Sequence, residues 1–132
     1  MDKSRRFEDI KRTGCVPCLL ENFLNSHAEI HHIVEQGYRQ GDHRSYGNCQ
    51  WHHKGIPWAD LQADEMTGRL GPSLRLNSKA YHERYGSELD LLRTQDYILH
   101  LFATEPWGDF DMPRPIARKI REFWTNERNQ PA

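Results

Sequence analysis

The sequence predicts an α+β fold: a short β-hairpin with a following helix, pinned by a cysteine–histidine cluster and surrounded by further helices. Three observations lead there. All three cysteines and six of the eight histidines fall between Cys15 and His53. The β-formers Ile30, Ile33 and Val34 stand together inside that interval, with no Gly or Pro to interrupt them. The rest of the chain reads as amphipathic helical segments punctuated by Gly and Pro.

Residues 1–13 are charged, and Phe7 and Ile10 mark one turn of a helix that Gly14 ends. Cys15-Val16-Pro17-Cys18 reads as a tight turn, followed by a short helix over 19–23. Residues 28–34 form the first strand. Residues 35–47, with Gly37, Gly41 and Gly47, are a loop. Tyr46 to Gln50 gives a second short strand or turn, and Trp51 opens a helix cut short by Gly55 and Pro57. A helix is expected over 58–69, then a turn at Gly71-Pro72-Ser73. Ser78 is a candidate N-cap for a helix reaching Tyr85, with Gly86 as its stop. Ser87 caps a longer helix over 88–103, with Leu89, Leu92, Ile98, Leu99 and Phe102 as its apolar stripe. Residues 107–115 are a proline-rich loop or linker, and 116–124 a last amphipathic helix.

A length of 132 residues fits one domain. With 36% hydrophobic residues and a mean hydropathy of -0.91, the core must be thin, and a bound metal is one way to staple such a domain. The formal net charge of -1 excludes a global basic field, so any nucleic-acid contact must use local Lys and Arg. No apolar run approaches the ~18 residues of a membrane span. The charged start Lys3, Arg5, Arg6 lacks the apolar core of a secretion signal, so no membrane is expected and the protein is placed in the cytoplasm.

An odd number of cysteines does not close a disulfide framework. Cys15 and Cys18 have the spacing of half a zinc site, and Cys49 and His52 repeat it with an imidazole as fourth ligand. Together they make a closed Cys₃His structural site that brackets the hairpin. Buried free thiols are the bland alternative, and a thioredoxin-like redox pair lacks its βαβ context. His31 and His32 are adjacent on a strand, where successive side chains point to opposite faces unless a strand end or bulge intervenes. One of them as metal ligand (His31) and the other as general base (His32) is the useful division of labour. His53 follows the zinc ligand His52 on a helix, where neighbours differ by about 100°. His52 can thus face the thiolates while His53 faces the hairpin.

With these residues in view, Cys15-x-x-Cys18, Ile30-His31-His32-Ile33 and Cys49-Gln50-Trp51-His52-His53 resemble the HNH (ββα-metal) endonuclease superfamily. A narrower resemblance covers residues 14–92, about three-fifths of the chain, and is to the phage Ref-type RecA-dependent nucleases. It rests further on Gly71-Pro72-Ser73-Leu74, on Tyr81-His82-Glu83-Arg84-Tyr85-Gly86-Ser87, and on Gly37-Tyr38-Arg39, Gly41 and His43. The resemblance implies a ββα-metal core with a zinc knuckle. It implies a catalytic divalent ion (Zn²⁺, Mg²⁺ or Mn²⁺) on His31 and His53, His32 as base, and His82 as a further ligand or active-site contact. It also implies DNA and a RecA filament as partners, in the cytoplasm of a bacterial host. The corresponding organisation is a nuclease domain over 1–105, with knuckle and core at 14–58 and a helical part at 59–105, then a linker and amphipathic helix over 106–132.

Two departures stand out. His31 occupies the place where Asp is common, and a nitrogen-rich site moves metal preference from Mg²⁺ towards transition metals. The middle Asn of the superfamily name has no clear counterpart, since Asn48 abuts Cys49. DNA contacts are expected from Arg39, His43, Arg44 and Lys54 beside the site, and from Arg75, Lys79 and Arg84 near His82. Arg114, Arg118, Lys119 and Arg121 read as a solvated face. Trp51 and Trp58 are candidate base-stacking rings, although a Trp beside a zinc site commonly belongs to the core. Two rival readings are a non-catalytic zinc module binding nucleic acid or protein, and a phage protein docking on a host factor through the helix over 88–103.

Overall fold

The computed structural model describes residues 3–35, 38–39, 44–105 and 114–129. It is an α+β arrangement in which one antiparallel hairpin is packed among helices. The elements in order are α1 (Lys3–Thr13), α2 (Val16–Leu20), β1 (Ala28–His32), β2 (Val34–Glu35), β3 (Tyr38–Arg39), β4 (Ser45–Cys49), α3 (Gln50–Lys54), α4 (Ala63–Leu70), α5 (Ser78–Tyr85), α6 (Glu88–Thr104) and α7 (Arg114–Arg128). β1 pairs with β4 in the register Ala28↔Cys49 to His32↔Ser45, and β2 pairs with β3. The expected loop over 35–47 therefore carries a small hairpin of its own, while Gly37, Gly41 and His43 lie outside the described residues.

The first cysteine pair is helical where a turn was expected. Cys15 is the N-cap of α2 and its Sγ accepts the Cys18 N–H at 3.4 Å, with Pro17 in the first turn. Cys49 caps α3 in the same way, accepting the His52 N–H at 3.4 Å. A thiolate at a helix start satisfies an orphan amide and sits at the positive end of the peptide dipoles.

The helix expected from position 58 begins at Ala63. Gln62 and Glu65 form a capping box there, and Leu61 N–H donates to Trp58 O in a preceding turn. Asn77 rather than Ser78 caps α5, its Oδ1 accepting the Ala80 N–H. Ser87 and Asp90 box the start of α6 as the sequence indicates. Of the expected α6 stripe, Leu92, Ile98 and Leu99 are buried, whereas Leu89 is exposed and Phe102 lies half-buried under the Arg12 guanidinium; Leu91, Thr94, Gln95 and Leu101 widen the buried face. For Gln95 the reason is a polar demand at the core: its Oε1 accepts the Gly47 N–H of β4 at 2.8 Å.

Two apolar clusters share the burial. The larger joins Val16, Leu19 and Leu20 of α2 with Ile33, Tyr46, Tyr81, Tyr85, the inner face of α6, and Ile116 and Ile120 of α7. The C-terminal helix is thus part of the main core. It is also tied down by Trp124 Nε1 donating to Tyr85 O and by Arg121 donating to Leu20 O. The smaller cluster holds Cys15, Cys18, Cys49, Trp51, Met66 and Leu70. The two meet where α2 crosses the hairpin, and Gly47 permits that crossing. A Cβ there would lie 2.3 Å from Gly14 O, so only hydrogen lets the chain before Cys15 reach the strand that ends in Cys49. No helix among the described residues is long and apolar enough to cross a membrane.

Candidate functional site

Cys15, Cys18, Cys49 and His52 are buried, and their ligand atoms all lie within 4.8 Å of one another. His52 Nδ1 is 3.5, 3.4 and 3.3 Å from the sulfurs of Cys15, Cys18 and Cys49, and the Cys18 and Cys49 sulfurs are 3.8 Å apart. A tetrahedral ion with metal–sulfur bonds of about 2.3 Å separates its sulfurs by ~3.8 Å, so the donor set fits. The shell behind it is complete. His52 Nε2 donates to Leu70 O at 2.7 Å, which holds the ring in the tautomer whose Nδ1 lone pair faces the sulfurs. Tyr85 Oη, 3.1 Å from the same Nε2, contacts Glu21, and Glu21 is clasped by Arg84. Asn25 Nδ2 donates to Cys18 Sγ. Burial pushes the Cys15 thiol up, and the neighbouring thiols add to the rise. Three buried sulfurs in the thiolate form need a cation among them, and the cluster could hold a metal ion.

A second group of imidazoles gathers on the other side of α3. His31 of β1 and His53 of α3 meet edge-to-face with ring centroids 4.9 Å apart. His53 Nδ1 donates to Glu29 Oε1 at 3.1 Å, and Lys54 Nζ donates to Glu29 Oε2 at 3.0 Å. With Nδ1 protonated, Nε2 of His53 keeps its lone pair for another partner. Burial lowers the His53 pKa most, the Glu29 hydrogen bond opposes it, and the neighbouring His31 adds to the fall. Burial alone would raise the Glu29 carboxyl, but Lys54 and His53 outweigh it and hold it below the usual range.

Glu88, the first residue of α6, bridges to α5. Its Oε2 is 3.0 Å from His31 Nε2, and its Oε1 is 3.7 Å from His82 Nε2. His82 Nδ1 donates to Gly86 O at 2.9 Å. His82 Nε2 and the Glu88 carboxylate are thus neighbouring donor atoms that a cation between them would satisfy.

Of the sequence-derived candidates, His31, His53 and His82 thus border one region. The pleat divides the His31–His32 pair: His32 packs edge-on against Phe7 of α1, with centroids 5.8 Å apart. Asn48, paired with Glu29 in register, turns inward, where Nδ2 donates to the Tyr81 hydroxyl. Among the described residues, only the Cys₃His group brings all its ligand atoms within the short span given above. The basic candidates scatter. Lys54 is tied to Glu29, Lys79 lies 4.0 Å from Glu83, and Arg84 clasps Glu21 behind the cysteine cluster. Arg44 lies half-buried at the entry to β4, and Arg39 is on β3 with its side chain outside the described residues. Glu29 and Glu88 carry no spacing signal in the sequence. Glu29 becomes legible only through the strand register, and Glu88 only through its position just after the motif that ends in Ser87.

A sequence profile of the recombination enhancement, RecA-dependent nuclease family matches residues 2–100, three quarters of the chain. The chain belongs to that family. No curated protein and no solved structure matches it. The family is one of nucleases involved in recombination, and the matched span contains both the Cys₃His cluster and the histidine group while leaving out α7.

Proposed function

We propose that this chain hydrolyses DNA phosphodiester bonds by an HNH-type, metal-dependent reaction, with zinc in the Cys₃His cluster and a second divalent ion held beside it. Recombination in a phage or prophage setting, on RecA-bound DNA, is the process this reading assigns. The observation that carries it is the edge-to-face meeting of His31 and His53 between β1 and α3, with carboxylates on both outer sides. A structural zinc needs none of these groups.

His53, His31, Glu88 and His82 would hold the second ion. The donor chemistry fits: a carboxylate–imidazole pair is the usual support of a ligating His, and Glu29 stands in that relation to His53. Such an ion would supply Lewis-acid stabilisation to the charge that develops on the phosphodiester. The chain's own residues do the rest. Glu29 orients His53 and keeps its Nε2 free. Glu88 spaces α5 from β1 by contacting both His31 and His82.

His32 takes the proton of the attacking water in this reading. It is the last residue of β1 and its ring packs on Phe7, on the face opposite His31, so this role requires the strand end to turn when DNA binds. The products are a 5′ phosphate and a 3′ hydroxyl. Lys79 and Arg44, with Arg39 and His43, are the proposed phosphate contacts.

The test is cleavage of single- and double-stranded DNA, free and RecA-coated, with and without added divalent metal. Metal-dependent cutting that His53→Ala and His32→Ala abolish is the expected result. Absence of cutting under every condition overturns the hydrolytic reading. Normal cutting by His32→Ala moves the base to another residue.

A further inference from the structure

A cavity of about 570 Å³ shares Glu29 with the histidine group. Phe23, after α2, and Trp58, after α3, line it with ring centroids 5.6 Å apart at a 46° tilt. Phe23 is 40% exposed, so its ring is open to a ligand. Ala28 and Cys49 also line it, and its polar lining residues are Asn25, His27, Glu29 and Gln50.

From this we infer that the cavity is a binding site for an unpaired nucleobase of single-stranded DNA. The inference rests on the nuclease reading above for its substrate, and three features choose the ligand. First, no Lys or Arg lines the cavity among the described residues, so the lining offers a phosphate no cationic partner while a neutral ring is accepted. Second, two aromatic rings offer stacking, and the amide of the lining residue Gln50 supplies both a donor and an acceptor for the hydrogen-bonding edge of a base. A base inside a duplex presents neither its face nor that edge, so the cavity selects unpaired strands. Third, Glu29 belongs to both places: it lines the cavity and accepts the His53 hydrogen bond. A nucleotide whose phosphate lies at His53 therefore has a slot for its base across one side chain.

The test compares binding of fluorescein-labelled oligothymidylate with that of an abasic sugar–phosphate strand of equal length, without added divalent metal. Wild type and Phe23→Tyr should bind oligothymidylate about tenfold more tightly than the abasic strand, the scale of one base–aromatic stack. Phe23→Leu keeps the apolar volume but not the π-face, and should bind both strands alike with an unchanged melting temperature. Equal binding of the two strands by wild type, no binding of either, or a preference that persists in Phe23→Leu overturns the inference. Metal-dependent cleavage measured on the same preparations separates the two readings. Cleavage without a Phe23-dependent base preference sinks only the base site. A Phe23-dependent preference without cleavage under any metal sinks only the hydrolytic reading.

Discussion

Glu29 and His53 face each other across β1 and α3, with Oε1 and Nδ1 3.1 Å apart. The contact sets the tautomer of His53 and moves its proton affinity in a known direction. The carboxylate favours the imidazolium, against the larger effect of burial. Removing it in Glu29→Gln lowers the His53 pKa further. The acid limb of cleavage, where the ring protonates and can no longer ligate, should then move to lower pH. A kcat/KM–pH profile of both proteins checks this, and an acid limb that stays put or moves up counts against His53 as the titrating ligand.

Zinc in the Cys₃His cluster should be inseparable from the fold. The four ligands come from α2, β4 and α3, and each lies within or at the edge of the smaller apolar cluster. Structural zinc in small domains contributes about 10–16 kcal/mol of apparent binding energy, more than most domains have in total. Elemental analysis should find zinc held through dialysis. Cys49→Ser and His52→Ala should lose it together with the cooperative thermal transition.

Gly47 is a packing residue with no chemistry of its own. Its missing Cβ would meet Gly14 O at 2.3 Å and the Ile10 side chain at 3.0 Å. Gly47→Ala should cost about 1–3 kcal/mol, the scale of overpacking in a close-packed interior. Urea denaturation should show this as a lower midpoint with zinc still bound at low denaturant.

Glu21 links acid stability to the shell behind His52. Burial would raise its carboxyl, but hydrogen bonds from Arg84 and Tyr85 outweigh burial and depress it below the ordinary 4.5. A depressed folded-state value means the contribution is present above about pH 4.5 and lost as pH falls through the folded value. The melting-temperature deficit of Glu21→Gln relative to wild type should therefore be full at pH 7 and shrink below that point. A deficit independent of pH would show that the Arg84 clasp does not stabilise the carboxylate.

The parts of the fold that local chemistry decides were legible in the sequence. The pairing of Cys15-x-x-Cys18 with Cys49-x-x-His52 is a spacing signal, and Ser87 is a capping signal; both hold in the structure. The start of α4 was not legible, and the buried face of α6 was legible in Leu92, Ile98 and Leu99 but not in its polar members Thr94 and Gln95. A capping box at Gln62 overrides the helix-forming residues before it, and the need of Gly47 for a hydrogen-bond acceptor turns Gln95 inward. At the candidate site, the histidines announce themselves by pairing, whereas Glu29 and Glu88 are charged residues like many others until strand register and helix packing bring them to His53 and His31. The separation of His31 from His32 follows from the pleat of β1, a periodicity visible in sequence only once the strand ends are known.

If His31 and His53 converge on one hydrolytic ion beside a structural zinc, added Mn²⁺ should bind within reach of both rings. Pulsed electron spin resonance of Mn²⁺ added to the zinc-loaded protein tests it directly. The account predicts one bound Mn²⁺ with couplings to two or more imidazole nitrogens, reduced in His53→Ala and in His31→Ala with zinc retained. A Mn²⁺ spectrum free of nitrogen couplings, or one unchanged by both substitutions, contradicts it.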